Sequence, residues 1–301
     1  MNVLSLFDGM SCAQIALNRI GIKPNLYFAS EIKKAAIKVT KYNYPDTIHI
    51  GDVTKVSFKD GILYTENENY EVGHIDLLCG GSPCQDLSGM NQKQVGLAGA
   101  KSSLFWEYAR IKKEVNPTYF LLENVGSMPY SDAMEITKEI GFDGVRINSS
   151  LLSAQLRDRI YWTNIQGSGI DLFGNRFIEQ PIDKNISFQS ILESGYTNRN
   201  KSLALLARSY IACPKGDTKN KFLFNRNSKG FVNVKWKNKN MTIDNVEMLT
   251  RRELERLQTV PEGYTDCISF LEASNVLGDG WTVDVIAYIF KGLKPLYFRK
   301  D

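Results

Sequence analysis

The sequence has few residues of the kinds that bind metals or form disulfides. It contains two histidines, His49 and His74, among 301 residues. Its five cysteines show no C-x-x-C spacing and no even framework of the disulfide type. These counts argue against a zinc site built from cysteine and histidine, and they favour a reducing compartment. We therefore expect a protein without a bound metal.

Long apolar runs are also absent, so the sequence predicts no membrane-spanning helix and no membrane partner. The first residues, Met1 to Leu6, enter a strand pattern at once, and we expect no signal peptide. The hydrophobic content of 43% and the charged content of 23% are ordinary for a globular domain. A net charge of +4 is too mild to indicate a polyanionic partner by itself.

Short apolar runs alternate with helical patterns along the first half of the chain, which is typical of a mostly parallel α/β sheet. The predicted strands are 3–7, 26–29, 47–50, 75–79 and 119–122, and the predicted helices are 12–20, 33–42, 103–115 and 132–140. Residues 58–73 are predicted to form a polar hairpin or loop insertion. The runs 145–152 and 159–165 are predicted to be an antiparallel pair that closes the sheet.

Two reactive side chains follow predicted strands. Cys84 comes after the run 75–79 in a Gly-Gly-Ser-Pro-Cys-Gln loop, and Glu123 comes directly after 119–122. The carboxyl ends of neighbouring strands meet at one crevice of an open α/β sheet. A thiol and a carboxylate there indicate covalent chemistry assisted by an acid. The alternatives are a small residue that closes a turn and an acid that caps a helix or lies on the surface.

A ligand-binding pattern follows the first three strands. Gly9 permits a tight turn after the first strand, and Glu31 ends the second strand 22 residues later, where a carboxylate can bind a ribose diol. Asp52 and Val53 follow the third strand and suit an adenine ring. The G-x-G-x-x-G motif is absent. The pattern therefore favours a nucleoside with a small zwitterionic tail over a dinucleotide.

The composition changes after Gln166. Basic and aromatic residues mix in a stretch without clear periodicity, which suits phosphate contact and base stacking, although a solvated surface is the alternative. These residues are Lys215, Lys219, Lys221, Phe222, Phe224, Arg226, Lys229, Phe231, Lys235, Trp236, Lys237 and Lys239. Helical patterns return at 250–258 and 282–291.

The ordered motifs resemble those of the cytosine-5 DNA methyltransferase family over nearly the whole chain. The matching segments are Phe7-Asp8-Gly9, Glu31, Asp52, Ser82-Pro83-Cys84-Gln85, Glu123-Asn124-Val125, Gln155-Leu156-Arg157-Asp158-Arg159, 249–261 and Gly278-Asp279-Gly280-Trp281. The short recognition region is closest to the de novo-type subgroup. The resemblance implies a Rossmann-like methyltransferase domain formed by 1–166 and 249–301. It also implies a small, irregular target-recognition domain at 167–248.

The resemblance implies a role for each matching residue. S-adenosylmethionine, which leaves as S-adenosylhomocysteine, is expected at Phe7, Asp8, Gly9, Met10, Ser11, Glu31, Ile32, Asp52, Val53, Pro83 and Trp281. The expected catalytic residues are Cys84, Glu123, Arg157 and Arg159, although the spacing of the two arginines also fits an exposed strand edge. The expected contacts to double-stranded DNA are Ser88, Met90, Asn91, Gln92, Gln155, Lys235, Lys237 and Lys239.

The resemblance further implies a cytoplasmic enzyme encoded by a prokaryote or a virus, and a monomer is favoured. The expected reaction is methyl transfer to carbon 5 of a cytosine flipped out of the duplex, through a covalent bond from Cys84 to carbon 6. An RNA cytosine methyltransferase and a silent DNA-binding relative are the alternatives. The tRNA-modifying branch carries a Cys-Phe-Thr signature that this sequence lacks. A silent relative would have lost Cys84, Glu123 or a cofactor acid.

Overall fold

A computed structural model describes residues 1–83, 104–205, 234–237 and 246–293. The chain divides into two compact units. The first comprises Met1–Ile147, Asp158–Gln180 and Ile286–Asp301, and the second comprises Asn148–Arg157 and Pro181–Val285. None of the helices in the described ranges has both the length and the apolar character needed to cross a membrane.

The strands of the described ranges lie mostly in the first unit. They are β1 (Asn2–Leu6), β2 (Leu26–Ser30), β3 (Ile48–His49), β4 (Ser57–Lys59), β5 (Ile62–Tyr64), β6 (Asn69–Glu71), β7 (Leu77–Gly81), β8 (Tyr119–Val125), β9 (Gly144–Asn148), β10 (Asp158–Thr163), β11 (Gly169–Ile170), β12 (Arg176–Phe177), β13 (Val234–Trp236) and β14 (Val246–Met248). The helices are α1 (Cys12–Arg19), α2 (Lys34–Asn43), α3 (Leu104–Val115), α4 (Tyr130–Ile140), α5 (Arg251–Leu257), α6 (Phe270–Asp279) and α7 (Val283–Phe290).

A seven-stranded sheet forms the centre of the first unit, in the order β3-β2-β1-β7-β8-β10-β9. The pairs β3–β2, β2–β1, β1–β7 and β7–β8 are parallel, and β10 runs antiparallel to β8. All seven residues of β8 are buried, as expected for a strand covered on both faces. The predicted α/β class with a mostly parallel sheet is confirmed, and the strands 144–148 and 158–163 lie at the sheet's end as expected.

The two strands that lead to the predicted catalytic residues extend further than the sequence pattern indicates. β7 continues through Gly80 and Gly81, and β8 continues through Glu123 to Val125. A Cβ atom on Gly80 would lie 2.8 Å from the carbonyl oxygen of Leu6 and 3.2 Å from the ring of Tyr108. Only glycine therefore permits β7 to pack this closely against β1 and α3. Pairing with β10 lengthens β8, because Tyr161 lies opposite Glu123.

The predicted insertion at 58–73 is a three-stranded antiparallel sheet, β4-β5-β6. It is not purely polar, since Phe58 and Leu63 are buried and belong to the main hydrophobic core with α3 and α4. The second unit has a different character. Its described residues include a short antiparallel pair, β13 and β14, the helices α5 and α6, and many buried polar side chains. Both α5 and α6 begin with a capping box, at Thr250 and Ser269.

Candidate active site

Hydrogen bonds join the carboxyl ends of β1 and β2. They centre on residues 7–11, the loop between β1 and α1, which we call the acidic loop. The backbone N–H of Asp8 donates to the carbonyl of Ser30 at 3.0 Å, and the N–H of Gly9 donates to Oε2 of Glu31 at 2.8 Å. The other oxygen of Glu31 accepts from the N–H groups of Ile32 and Lys33, each at 2.8 Å. Glu31 therefore holds the turn after β1 against the end of β2.

The backbone of this loop is strained in a way that is common at binding sites. Phe7 and Ser11 have φ angles of 55° and 59°, the left-handed region that non-glycine residues seldom adopt. Gly9, between them, has φ of 60°, and a Cβ atom there would meet nothing within 4 Å. Gly9 thus borders open space, in which a ligand could approach the backbone. The hydroxyl of Ser11 donates to Asp8, which stabilises the strained turn.

Asp8 is a buried carboxyl group at the centre of this network, with 9% of its surface exposed. Its Oδ1 accepts from the hydroxyl of Tyr27 at 2.6 Å. Burial raises the pKa of Asp8 from 3.8 to about 6, while hydrogen bonds from Ser11, Ser5 and Tyr27 oppose the shift and the charge of Glu31 adds to it. The loop after β1 therefore contains an acid that changes its charge near neutral pH.

This shift predicts a pH-dependent stability that Asp8→Asn should remove. The pKa of Asp8 is higher in the folded chain, about 6, than the ordinary 3.8. The folded state therefore binds the proton more tightly, and its stabilisation is lost as the pH rises through that window. The loss is on the order of 2–3 kcal/mol, at 1.36 kcal/mol per pKa unit. Urea unfolding at pH 4.5 and 7.5 measures it. Parallel pH dependences for wild type and Asp8→Asn would contradict the assignment.

The other predicted cofactor residues are distributed around this loop or lie elsewhere. Met10 and Val53 are buried, and Asp52 caps a short 3-10 helix by accepting from the N–H of Thr54 at 2.9 Å. Ile32 is 68% exposed. Trp281 is half-buried and lies in the second unit, and its contact with the cofactor stays a prediction.

The carboxyl ends of β7 and β8 lie side by side next to β1. Gly81 pairs with Glu123, and Gly80 pairs with both Leu6 and Leu122. One residue further, the buried hydroxyl of Ser82 accepts from Nδ2 of Asn124 at 3.2 Å. This bond fixes the chain two residues before Cys84. Pro83 is the last described residue of the segment, and Cys84, Ser88, Met90, Asn91 and Gln92 lie outside the described residues.

Glu123 forms an ion pair at this edge of the sheet. Its Oε1 lies 2.8 Å from Nε of Arg159 on the neighbouring strand β10, and the two side chains are 11% and 13% exposed. Arg159 also donates from Nη1 to the carbonyl of Asp158 at 2.8 Å. The pair is thus shielded from bulk water and held by two paired strands, which fixes the direction of the carboxylate.

Cys79 provides a contrast to the predicted nucleophile. It lies in β7 with no exposed surface, and burial raises the pKa of its thiol to about 12. A thiol in this environment stays protonated and unreactive. Cys79 is therefore a core residue.

Comparison with known proteins decides the family. The model for C-5 cytosine-specific DNA methylases matches residues 1–168, which is more than half of the 301 residues. The chain belongs to the C-5 cytosine-specific DNA methylases. The predicted family is confirmed, and with it the assignment of the chain to DNA cytosine methyltransferases. The matched range contains the acidic loop, Ser82 and the Glu123–Arg159 pair.

This methylase has relatives among restriction-modification enzymes. It is 27% identical to the Type II methyltransferase M1.ScrFI of Lactococcus lactis subsp. cremoris, over 94% of this chain and 75% of that protein. It is 32% identical to the Type II methyltransferase M.NgoBV of Neisseria gonorrhoeae, and this match covers 64% of this chain and 46% of that protein. The solved structure of the S. pombe Dnmt2 methyltransferase matches 99% of the chain at a TM-score of 0.69 and 17% identity, which shows the shared fold.

The structure of the methylase places three predicted residues away from the surface. Gln155 has no exposed area, Arg157 is 5% exposed and Lys235 is 2% exposed. Nζ of Lys235 lies 2.9 Å from Oε1 of Glu253 and 3.1 Å from Oγ of Ser194. In this conformation these side chains bind the protein's own groups. Lys237 is exposed, and Lys239 lies outside the described residues.

The partners of these buried residues are polar positions that the sequence analysis did not single out. Glu253 and Gln258 are both fully buried. Glu253 accepts from the N–H groups of Thr250 and Glu193, each at 2.8 Å, in addition to Lys235. The T-x-x-E spacing from Thr250 to Glu253 was a signal for the helix cap. The contact with Lys235, 18 residues earlier, has no local signal.

Proposed function

We propose that the chain transfers a methyl group from S-adenosylmethionine to carbon 5 of a cytosine in double-stranded DNA. The observation that carries this proposal is the shielded ion pair between Glu123 and Arg159. Glu123 lies opposite Gly81, the last residue of β7, and β7 is the strand that leads to Cys84. It supports a site in which a nucleophile and a fixed carboxylate act on one base. Family membership supports the same class of reaction.

Cys84 is the nucleophile in this proposal. Carbon 5 of cytosine is a poor nucleophile, and addition of a thiolate to carbon 6 makes it electron-rich. After carbon 5 has gained the methyl group, its proton is lost to solvent water. The electron pair of that C–H bond re-forms the C5–C6 double bond, and the C6–S bond breaks to release the thiolate. Ser82, held by Asn124, brings the chain to the edge of β8 where Glu123 lies. Cys84 follows that anchored residue by two positions.

Glu123 recognises and polarises the base. One carboxylate oxygen accepts from the exocyclic amine of cytosine, while the carboxyl group shares a proton with ring nitrogen N3 as the thiolate adds. Negative charge that develops on the ring is thereby relieved. Arg159 holds Oε1 of Glu123 at 2.8 Å and places positive charge beside the base. Because the target atoms face the inside of the duplex, the base must be flipped out to reach this pair.

The acidic loop and the ends of β2 and β3 suit S-adenosylmethionine. Glu31, Asp8 and Asp52 offer carboxylates for hydroxyl, amino and cationic groups, and Gly9 borders open space. Glu31 is the candidate for the ribose hydroxyls, and Asp52 with Val53 for the adenine. When bound, the cofactor supplies an electrophilic methyl group. These residues follow β1, β2 and β3, and β1 is the direct neighbour of β7, so the donor and the base belong at the same carboxyl end of the parallel strands.

Residues 167–248 are proposed to recognise the DNA, with phosphate contacts made by exposed basic residues such as Lys237. In Lys237→Gln, the slope of log K for DNA binding against log [salt] should be shallower by about 0.9, because one phosphate contact is lost.

Lys235→Met should leave that slope unchanged and destabilise the fold by about 3 kcal/mol, because Glu253 loses its buried partner. Salt titrations and urea unfolding separate the two effects. A reduced slope in Lys235→Met would contradict the buried position.

Methylation assays test the proposed function directly. Purified protein should transfer labelled methyl groups from S-adenosylmethionine to unmethylated double-stranded DNA. Sequencing of DNA from a methylation-free expression host should show 5-methylcytosine at one sequence motif. An RNA duplex of the same sequence and total tRNA serve as matched substrates. Transfer to RNA and not to DNA would overturn the proposal in favour of an RNA methyltransferase, and no transfer to either would indicate a silent relative.

A further inference from the structure

A buried polar cluster in the second unit has no direct role in the proposed chemistry. Gln258, the residue after α5, has no exposed surface. Its Nε2 donates to the carbonyls of Leu277 at 2.6 Å and Gly280 at 3.3 Å. Its Oε1 accepts from Oγ1 of Thr282 at 3.0 Å and from Nε2 of Gln155 at 3.3 Å. These bonds use both N–H groups and both lone pairs of the amide, so the side chain is fixed.

Arg157 converges on the same backbone. Its Nη2 donates to the carbonyl of Gly280 at 2.9 Å and to that of Gly278 at 3.2 Å. Its Nη1 donates to the carbonyl of Leu205 at 2.8 Å. Two side chains from distant parts of the chain therefore hold the carbonyl of Gly280, the residue directly before Trp281.

Leu205 is held on both sides of its backbone. Its N–H donates to Oε1 of Gln155 at 2.6 Å, and its carbonyl accepts from Arg157. Just upstream, the N–H of Ser202 donates to the carbonyl of Ala154 at 2.7 Å, which aligns the two chain segments. Leu205 is the last described residue before 206–233, a large part of the predicted recognition domain.

We infer that Gln155, Arg157 and Gln258 form a buried polar clamp that holds Leu205 and Gly280 in one fixed arrangement. The clamp positions the start of the recognition segment and the turn before Trp281 together, so that DNA reading and cofactor binding depend on the same contacts. This inference rests on the proposed function, in which 167–248 reads DNA, and on the predicted contact of Trp281 with the cofactor. The three are positioning residues and not DNA contacts.

The physical reason for the clamp is the cost of its removal. A buried carbonyl group that loses a donor is costly. Arg157→Met would remove the side-chain donor to Leu205 and one of the two donors to Gly280, and Gln258→Met would remove the other donor to Gly280 and the donor to Leu277. The backbone at Leu205 and Gly280 would then move to regain hydrogen bonds, and Trp281 would move with it. A loss of about tenfold in affinity corresponds to 1.4 kcal/mol, within the range for a buried hydrogen bond left unmade.

The test uses the full chain with Gln258→Met, which keeps the side-chain length and removes the donor, and Arg157→Met, which keeps an unbranched side chain and removes the guanidinium group. We expect each to raise the Kd for S-adenosylmethionine about tenfold in calorimetry without DNA. We also expect each to reduce discrimination between the methylated motif and a one-base variant. The salt slope of DNA binding should equal that of wild type. Because both side chains hold Gly280, the double variant should lose less than the product of the single losses.

Glu255→Gln is the matched control. Glu255 is equally buried, but its carboxylate binds the N–H groups of Gly263 and Thr265. Glu255→Gln should lower the melting temperature and leave the Kd for S-adenosylmethionine within about twofold of wild type. The reason is that Glu255 binds the loop at 263–265 and not the backbone at Gly280 or Leu205. Thr282→Val is a milder variant that removes only the bond to Gln258, and about a threefold rise in Kd is expected if the larger changes prevent folding.

Two results would overturn the inference. One is a cofactor Kd and a discrimination ratio at wild-type values in folded Gln258→Met, or in Thr282→Val should Gln258→Met not fold. The other is a salt slope reduced by about 0.9 in Arg157→Met, which would identify a phosphate contact. Failure of the proposed function is distinct, because wild type itself would then neither bind the cofactor nor methylate DNA.

Discussion

Cys84→Ser should abolish methyl transfer, with a loss of about 10⁴-fold or more, the scale found when a covalent nucleophile is removed. A serine hydroxyl is far less acidic than a thiol and cannot supply the anion that adds to carbon 6. The acidic loop that is proposed to bind S-adenosylmethionine is untouched, so the cofactor Kd should stay near that of wild type. Single-turnover transfer of a labelled methyl group measures the loss.

Wild type should also form a covalent adduct with DNA that contains 5-fluorocytosine, because fluorine at carbon 5 blocks the final elimination. Denaturing electrophoresis detects the adduct, and Cys84→Ser should form none. Cys79→Ala is the matched control from the same region of the chain. Burial raises the pKa of Cys79 to about 12. That variant should still form the adduct. An adduct with Cys84→Ser, or none with wild type at its own motif, would refute the mechanism.

Glu123→Gln should lower kcat by about 10²–10⁴, the range for removal of a positioned acid or base. The substitution keeps the shape of the side chain and removes its charge and its ion pair with Arg159. Binding of the cofactor should change little, because the acidic loop is separate from β8. The loss should therefore appear in kcat more than in the KM for S-adenosylmethionine.

Asp158→Asn is the control for this substitution. Asp158 precedes Arg159 on β10 and pairs with Arg146 on the protein surface. Such pairs contribute little to stability, about 0–1 kcal/mol, and this one does not involve Glu123. Its kcat should stay within about twofold of wild type. Equal losses in the two variants would indicate a general disturbance of β10 and not a role for Glu123.

The sequence predicted those parts of the fold that depend on local patterns. Apolar runs located the strands of the central sheet, and glycine, proline and acidic residues at their ends predicted the candidate site. Strand ends were less accurate where distant partners set them, since pairing with β10 extends β8 through Glu123. Similarly, Gly80 and Gly81 read as a loop and belong to β7.

The buried polar residues could not be predicted in the same way. Lys235 lies among basic residues that suit DNA contact, and its partner Glu253 lies in a separate helix. Gln155 bonds to Leu257, which is 102 residues further along the chain. Arg157 bonds to Gly280 across 123 residues. A motif states which residue types occur together, and only tertiary packing decides which of them meet solvent.

The tight contact at Gly80 affects how variants of this enzyme should be interpreted. A methyl group at that position would clash with the carbonyl oxygen of Leu6, so the sheet would have to open between β1 and β7. The acidic loop follows β1, and the segment that contains Cys84 follows β7. A Gly80→Ala variant recovered in a loss-of-function screen would thus resemble an active-site lesion, although position 80 itself carries no reactive group.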